Sequence, residues 1–196
     1  GFRMALGGAQ EYFGVTPDMA TFAKALSNGY PLGAICGRRE VMQEVASMFI
    51  SSTYFSDSVG LAAGLATVSE LREKPVLEHV WAMGRLLKDG VNALAAQHGL
   101  AFHCDGYPPV MHLGFDEPDE HRRILMTTVY LQELVKSGIM SLMGAYLSYS
   151  HRPEHIEVYL AAAQRGLAAV KEGLDRGNLE DRIEAGLWGS HFRRLV

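Results

Sequence analysis

The segment ATFAKALSNGYPLGA, residues 20–34, sets one lysine, Lys24, among Phe22, Ala23, Ala25 and Leu26. The nearest charged residues along the chain are Asp18 and Arg38. The apolar run then breaks into a turn marked by Asn28-Gly29 and Pro31. This pattern predicts a lysine at the end of a short buried strand, facing a cavity. Two readings compete for such a residue. In the commoner one, the alkyl stem lies along apolar surface while the ammonium reaches water. In the other, removal from water lowers the ammonium's pKa and leaves a neutral, nucleophilic amine that can condense with an aldehyde.

Other candidates carry less chemistry. His151 and His155 lie four apart, but the glutamate between them is misplaced for a His-Glu-x-x-His zinc motif and Pro153 interrupts it, so no metal site is expected. Ser51, Ser52, Ser56 and Ser58 lack the Gly-x-Ser-x-Gly frame of a serine nucleophile. The glycines at 7–8 and 29–33 form no dinucleotide fingerprint. Arg38 and Arg39 read as a surface pair at a helix start, and Glu11, Tyr12 and Asp18 as structural.

The elements that must position Lys24 follow from the pattern around it. Met19–Ala23 and Leu32–Cys36 read as short strands flanking the turn, and RREVMQEVASMF as a helix. In SSTYFSDSVGLAAGLATVSEL, Leu61, Leu65, Val68 and Leu71 recur at helical spacing. The small residues between them would let another element approach closely. A long helix follows from Pro75 to a stop at Gly99. Beyond it, LAFHC, PPVMHLGF, IMS and AYLSYS read as strands, with helices over DEHRRILMTTVYLQELVKSG and from Pro153. The tail RIEAGLWGSHFRRLV carries no legible motif. An α/β organisation is expected, in segments 1–58, 59–98 and 99–196.

Composition bounds the function. Nearly half of the 196 residues are hydrophobic, so a packed core is expected, and the formal net charge of −4 with no basic block argues against nucleic acid. No apolar run is long enough to span a membrane. Cys36 and Cys104 match no disulfide or metal spacing, which suits a cytoplasmic protein. The opening GFRMALGGAQEYFGVTPD reads as the middle of a longer protein.

Several of these pieces fall at fixed spacing: Gly1-Phe2-Arg3, Glu11–Val15, Pro17-Asp18, Ala23-Lys24 and Pro31–Arg39. Together they resemble the cofactor-lysine region of class III (subgroup II) aminotransferases, and within that class the glutamate-1-semialdehyde 2,1-aminomutase branch. The resemblance is strong over residues 1–72 and collinear but weaker to about residue 175. It implies a fold type I transferase: part of the large cofactor domain, a connecting helical segment and the C-terminal small α/β domain. It implies that Lys24 carries pyridoxal 5'-phosphate as an internal aldimine. It also implies that Thr53, with Ser52 before it, contacts the cofactor phosphate from the neighbouring subunit of a homodimer. The small-molecule partners implied are an amino donor and a carbonyl acceptor, in ping-pong transfer.

Two departures qualify the resemblance. An aspartate that pairs with the pyridine nitrogen in the family precedes the matched segment, so the chain is expected to be the C-terminal half of such an enzyme. SGIMSLMGAYLSYSH is shorter than its aminomutase counterpart and lacks that branch's glutamate. A transaminase is therefore favoured over the aminomutase. A truncated, non-catalytic aminotransferase-like chain is the alternative outside enzymology.

Overall fold

The computed structural model describes residues 1–51, 53–184 and 186–189. The chain divides into two compact units, Gly1–His79 and Val80–Val196.

In the first unit, α1 (Ala9–Phe13) precedes β1 (Met19–Phe22) and β2 (Ala34–Gly37), which pair antiparallel with Met19 opposite Gly37 and Phe22 opposite Ala34. The open end of this ribbon is tied by Arg38, whose N–H donates to the Asp18 carbonyl at 3.0 Å and whose guanidinium meets the Asp18 carboxylate at 3.2 Å. The expected burial of β1 is not observed: its residues alternate between exposed and half-buried, and Met19 is 48% exposed. A two-stranded ribbon buries a face only where another layer covers it, and no residue of either strand is buried.

The helix expected over RREVMQEVASMF shrinks to α2 (Arg39–Met42) and a 3-10 turn, Gln43–Ser47. Ser47 Oγ donates to the Glu44 carbonyl at 2.8 Å, a local bond that competes with helix propagation. α3 (Ser58–Glu73) is capped by Asp57, whose carboxylate accepts from Val59 N–H at 3.0 Å. Its leucine face does not pack: Leu61 and Leu65 are exposed, and the buried residues are Gly60 and Gly64.

α4 (Val76–His98) runs from Pro75 to Gly99 as expected and buries Val80, Leu87 and Val91. Then come β3 (Phe102–Tyr107), β4 (Val110–Phe115), α5 (Glu120–Lys136), β5 (Gly144–Tyr146) and α6 (Pro153–Arg176). The strands form an antiparallel sheet in the order β3-β4-β5. No strand forms over IMS, and AYLSYS contributes only its start. Met143 turns the chain through a left-handed φ of 58° while its carbonyl accepts from Leu113 N–H at 3.0 Å. At the far end, His151 Nδ1 accepts the Ser148 N–H at 3.0 Å and closes a turn.

The core of this unit centres on Phe102, Phe115 and Tyr130, with the Phe102 ring 4.5 Å from Phe115 and 4.9 Å from Tyr130. Seven consecutive residues of α5, Leu125–Leu131, are buried, which requires cover on every side. Gly166 of α6 admits the Tyr130 ring, since a Cβ there would sit 2.7 Å from Cδ2. On another side lies the motif-less tail: Trp188 N–H donates to Thr128 Oγ1 at 2.9 Å, and Gln132 bonds the Arg182 carbonyl and the Glu184 N–H at 3.0 and 2.9 Å.

α4 also seals the outer edge of β3. Gly84 abuts Pro108, Lys88 Nζ donates to the Gly106 carbonyl at 2.9 Å, and Asn92 meets both backbone groups of Cys104. Four helical residues rise about 6 Å and two strand residues about 6.6 Å, so the two elements stay in step. Asn92→Ala strands an N–H and a carbonyl at Cys104, a cost of about 2 kcal/mol expected in denaturant unfolding. A midpoint within error of the parent protein would show that this edge needs no cover. The Cys104 thiol is fully buried, and burial pushes its pKa up to about 11. Among the described residues, no helix is long and apolar enough to cross a membrane.

Candidate active site

Lys24 lies two residues past the end of β1, in a 3-10 turn, Lys24–Leu26. Its φ of 54° falls in the left-handed region, which costs a residue with a Cβ on the order of 1 kcal/mol. The turn is held by Leu26 N–H donating to the Ala23 carbonyl at 3.1 Å and Ser27 N–H donating to the Lys24 carbonyl at 3.4 Å. A second turn follows at once. Asn28 (φ 48°) and Gly29 (φ 112°) reverse the chain, and the Ser27 hydroxyl donates to the Tyr30 carbonyl.

This double turn seats on α3. A Cβ at Gly60 would lie 2.5 Å from the Pro31 carbonyl oxygen, and one at Gly64 2.6 Å from Leu32 Cδ2. The close approach that the small residues allowed is therefore made by the lysine loop itself. Gly64 is among the small residues from which close approach was expected, whereas Gly60 was not singled out. Their four-residue spacing on one helix face is the signal that could have found them.

Lys24 opens onto a cleft of ≈ 570 Å³ whose walls include Gly7, Phe2, Thr21 and Phe22, with the two phenylalanine rings 5.7 Å apart. The lysine is exposed, so the burial expected from its neighbours is absent in this unit. Its chemical freedom rests on a different fact. The chain has five lysines. Lys74 pairs with Glu70, Lys88 with the Gly106 carbonyl, Lys136 with Glu133 and Lys171 with Asp175. Among the described residues, Lys24 alone makes no ion pair or hydrogen bond through its amine.

Thr53 is exposed, in the turn before Asp57, and does not line the Lys24 cleft. At the helix start nearby, the Asp57 carboxylate accepts from Val59 N–H, one of the N-terminal donors of α3 that the helix itself leaves without a partner. Ser52 lies outside the described residues. Met48, Phe49, Ile50, Tyr54 and Phe55, on either side of Thr53, are all exposed, Phe49 at 96%.

The remaining candidates serve the fold. Glu11 accepts from Gly7 N–H, and Arg38 is spent on Asp18. His151 and His155 face each other edge-on at 6.4 Å, and each Nδ1 accepts a backbone N–H at the approach to α6. Among the described residues no cluster of His, Cys, Asp and Glu could hold a metal.

Comparison with known proteins places this lysine turn in a family. Residues 6–143 match the family model for aminotransferase class-III, and the chain belongs to that family. Over 177 residues it is 34% identical to a 3-aminobutyryl-CoA aminotransferase of Cloacimonas acidaminovorans (strain Evry), covering 89% of this chain and 43% of that protein. Over 189 residues it is 32% identical to a glutamate-1-semialdehyde 2,1-aminomutase of Methanococcoides burtonii, covering 94% and 42%. The chain therefore spans less than half the length of these curated relatives. Among solved structures, the FumI protein of Sphingopyxis sp. MTA144 in its PLP internal aldimine form superposes with a TM-score of 0.81 at 25% identity, over 89% of this chain and 42% of that one. The fold is that of the fold type I transaminases.

Proposed function

We propose that this chain is the C-terminal part of a pyridoxal-phosphate-dependent aminotransferase in which Lys24 holds the cofactor. The observation that carries the reading is the uncommitted amine of Lys24, held in a strained turn at the mouth of a cleft, in a chain of this family. The donor set fits the aldehyde end of the cofactor: a primary amine, with Phe2 and Phe22 as an apolar wall. Among the described residues, Lys24 is the one basic side chain lining the cleft, so a phosphate needs donors from elsewhere. Thr53 and Ser52 of a second copy are the source we propose.

When bound, pyridoxal phosphate supplies a carbonyl carbon for amine exchange and a conjugated ring that takes up electrons. Lys24 Nζ would serve twice. It would hold the aldehyde end until the donor's amino group replaces it, and the freed amine would then take a proton from the donor's carbon and return one, as base and then acid. Water would release the donor as a carbonyl compound while its amino nitrogen stays with the cofactor, and a carbonyl acceptor would take up that nitrogen and give back water in a second half-reaction, giving ping-pong kinetics. The relatives are named for different substrates, so membership of the family supports amino transfer and leaves the donor open. Segment 139–143, IMSLM, contains no acid, which favours transfer between two molecules over intramolecular transfer. Added amino acceptor distinguishes the two: a transaminase requires it and an aminomutase does not.

The exposed apolar run around Thr53 supports a homodimer, since aromatic and aliphatic side chains this open are normally covered by a partner. Free Cys36 and Cys104 support a reducing, cytoplasmic setting. Loss of one hydroxyl bonded to a phosphate is expected to weaken cofactor binding on the order of 10- to 100-fold in Thr53→Ala. Mixing that variant with Lys24→Ala tests the arrangement. If Thr53 acts across the interface, mixed dimers regain one intact site and activity returns. If activity does not return on verified subunit exchange, Thr53 does not serve the neighbour's lysine.

A further inference from the structure

We infer that Ser27 is a positioning residue that sets the direction of the Lys24 amine, an inference that rests on the cofactor role proposed for Lys24. Ser27 is 1% exposed, and it is the one buried residue between Thr21 and Arg39. A buried polar residue in an otherwise exposed loop calls for an explanation that burial of apolar area does not give.

Its bonds supply one. The Ser27 hydroxyl donates to the Tyr30 carbonyl, and Tyr30 N–H donates to the Ser27 carbonyl at 3.3 Å, so side chain and backbone close the same turn. Ser27 N–H also reaches back to the Lys24 carbonyl, at 3.4 Å. That bond is long and weak by itself. It closes the turn that keeps Lys24 left-handed, and it depends on Ser27 staying where its hydroxyl pins it.

The two ends of the segment show why one residue matters. Upstream, Lys24 is anchored through the pairing of Phe22 with Ala34. Downstream, Pro31 and Leu32 lie against Gly60 and Gly64. Between these anchors, the hydroxyl of Ser27 is the one side-chain hydrogen bond among the described residues. Without it, the strain at Lys24 is relieved by rotation of φ back to negative values. That rotation swings the Cα–Cβ bond and carries the amine away from its line of approach to a carbonyl.

The test uses the full-length protein and pyridoxal phosphate itself as the probe. Capture at Lys24 is followed by borohydride reduction and peptide mapping, and the pH midpoint of the adduct's absorbance band is titrated on the folded protein. Ser27→Ala is expected to slow capture on the order of 10- to 100-fold and to shift the midpoint, because a small misplacement of a reacting group costs rates of that size. Ser27→Cys keeps the shape with a weak donor. It is expected to fall between parent and alanine variant, and it stands in if the alanine variant does not fold. A role confined to turn stability would lower the unfolding temperature and leave the midpoint in place. Parent-like rates and midpoint in the folded variants would overturn the inference while leaving Lys24 as the cofactor lysine. Absence of a selective Lys24 adduct in the parent protein would overturn both.

Discussion

Lys24→Ala is expected to abolish cofactor capture and to lower amino transfer by at least roughly 10³- to 10⁴-fold, the scale of a lost acid–base group that is also the attachment point. No other lysine can take over. The remaining four are each engaged by a carboxylate or a carbonyl, and none lines the cleft. Lys24→Arg separates charge from chemistry, because a guanidinium keeps the positive charge but does not lose its proton at neutral pH. Both variants are expected to fail alike in borohydride trapping. The thermal midpoint of Lys24→Ala is expected to match the parent's, since Lys24 forms no pair among the described residues and alanine meets the same left-handed φ. An alanine variant that still transfers amino groups would remove Lys24 from the mechanism. Trapping at a different lysine would move the site.

The second large effect is on stability. Gly84→Ala is expected to destabilise the second unit by roughly 3 kcal/mol or more, despite the gain of about 1 kcal/mol that alanine brings to a helix interior. A Cβ at Gly84 would lie 1.9 Å from the carbonyl oxygen of Pro108 and 2.3 Å from its carbon. These are backbone atoms in a turn of two prolines, and the adjoining Pro109 carbonyl also accepts from Leu147 N–H at 3.1 Å. Relief therefore means moving the β3–β4 hairpin off α4, which also strains the Lys88 and Asn92 bonds. A fall in the thermal midpoint on the order of 10 °C is expected by calorimetry. Gly99→Ala is the control: Gly99 has φ 62° and nothing lies within 4 Å of where a Cβ would sit, so only its backbone conformation opposes a side chain. Equal losses at the two positions would show that helix–hairpin contact is not what Gly84 provides.

The sequence by itself determined the local pieces that hold the candidate chemistry. Lys24, the Asn28-Gly29 reversal, the helix from Pro75 to Gly99 and the start of α6 at Pro153 are short-range features. Turn formers, caps and apolar spacing act within a few residues, so they can be read without knowing what lies across the fold. The family pattern around Lys24 is legible for the same reason, as a run of residue types at fixed spacing. Tertiary structure decided which faces are buried. Leu61 and Leu65 have the spacing of a core face yet stand exposed, because the lysine loop meets α3 at Gly60 and Gly64, where glycine admits the Pro31 carbonyl and the Leu32 side chain. β1 has the composition of a buried strand but no layer over it in its unit. The tail shows no motif because part of its attachment is made by backbone N–H and carbonyl groups meeting Thr128 and Gln132, which are the same in every sequence, and the rest by Arg182 and Glu184 pairing with Glu172 and Lys136, distant residues that only the fold brings near. The freedom of the Lys24 amine was likewise invisible in the chain, because it depends on where the other lysines find their partners.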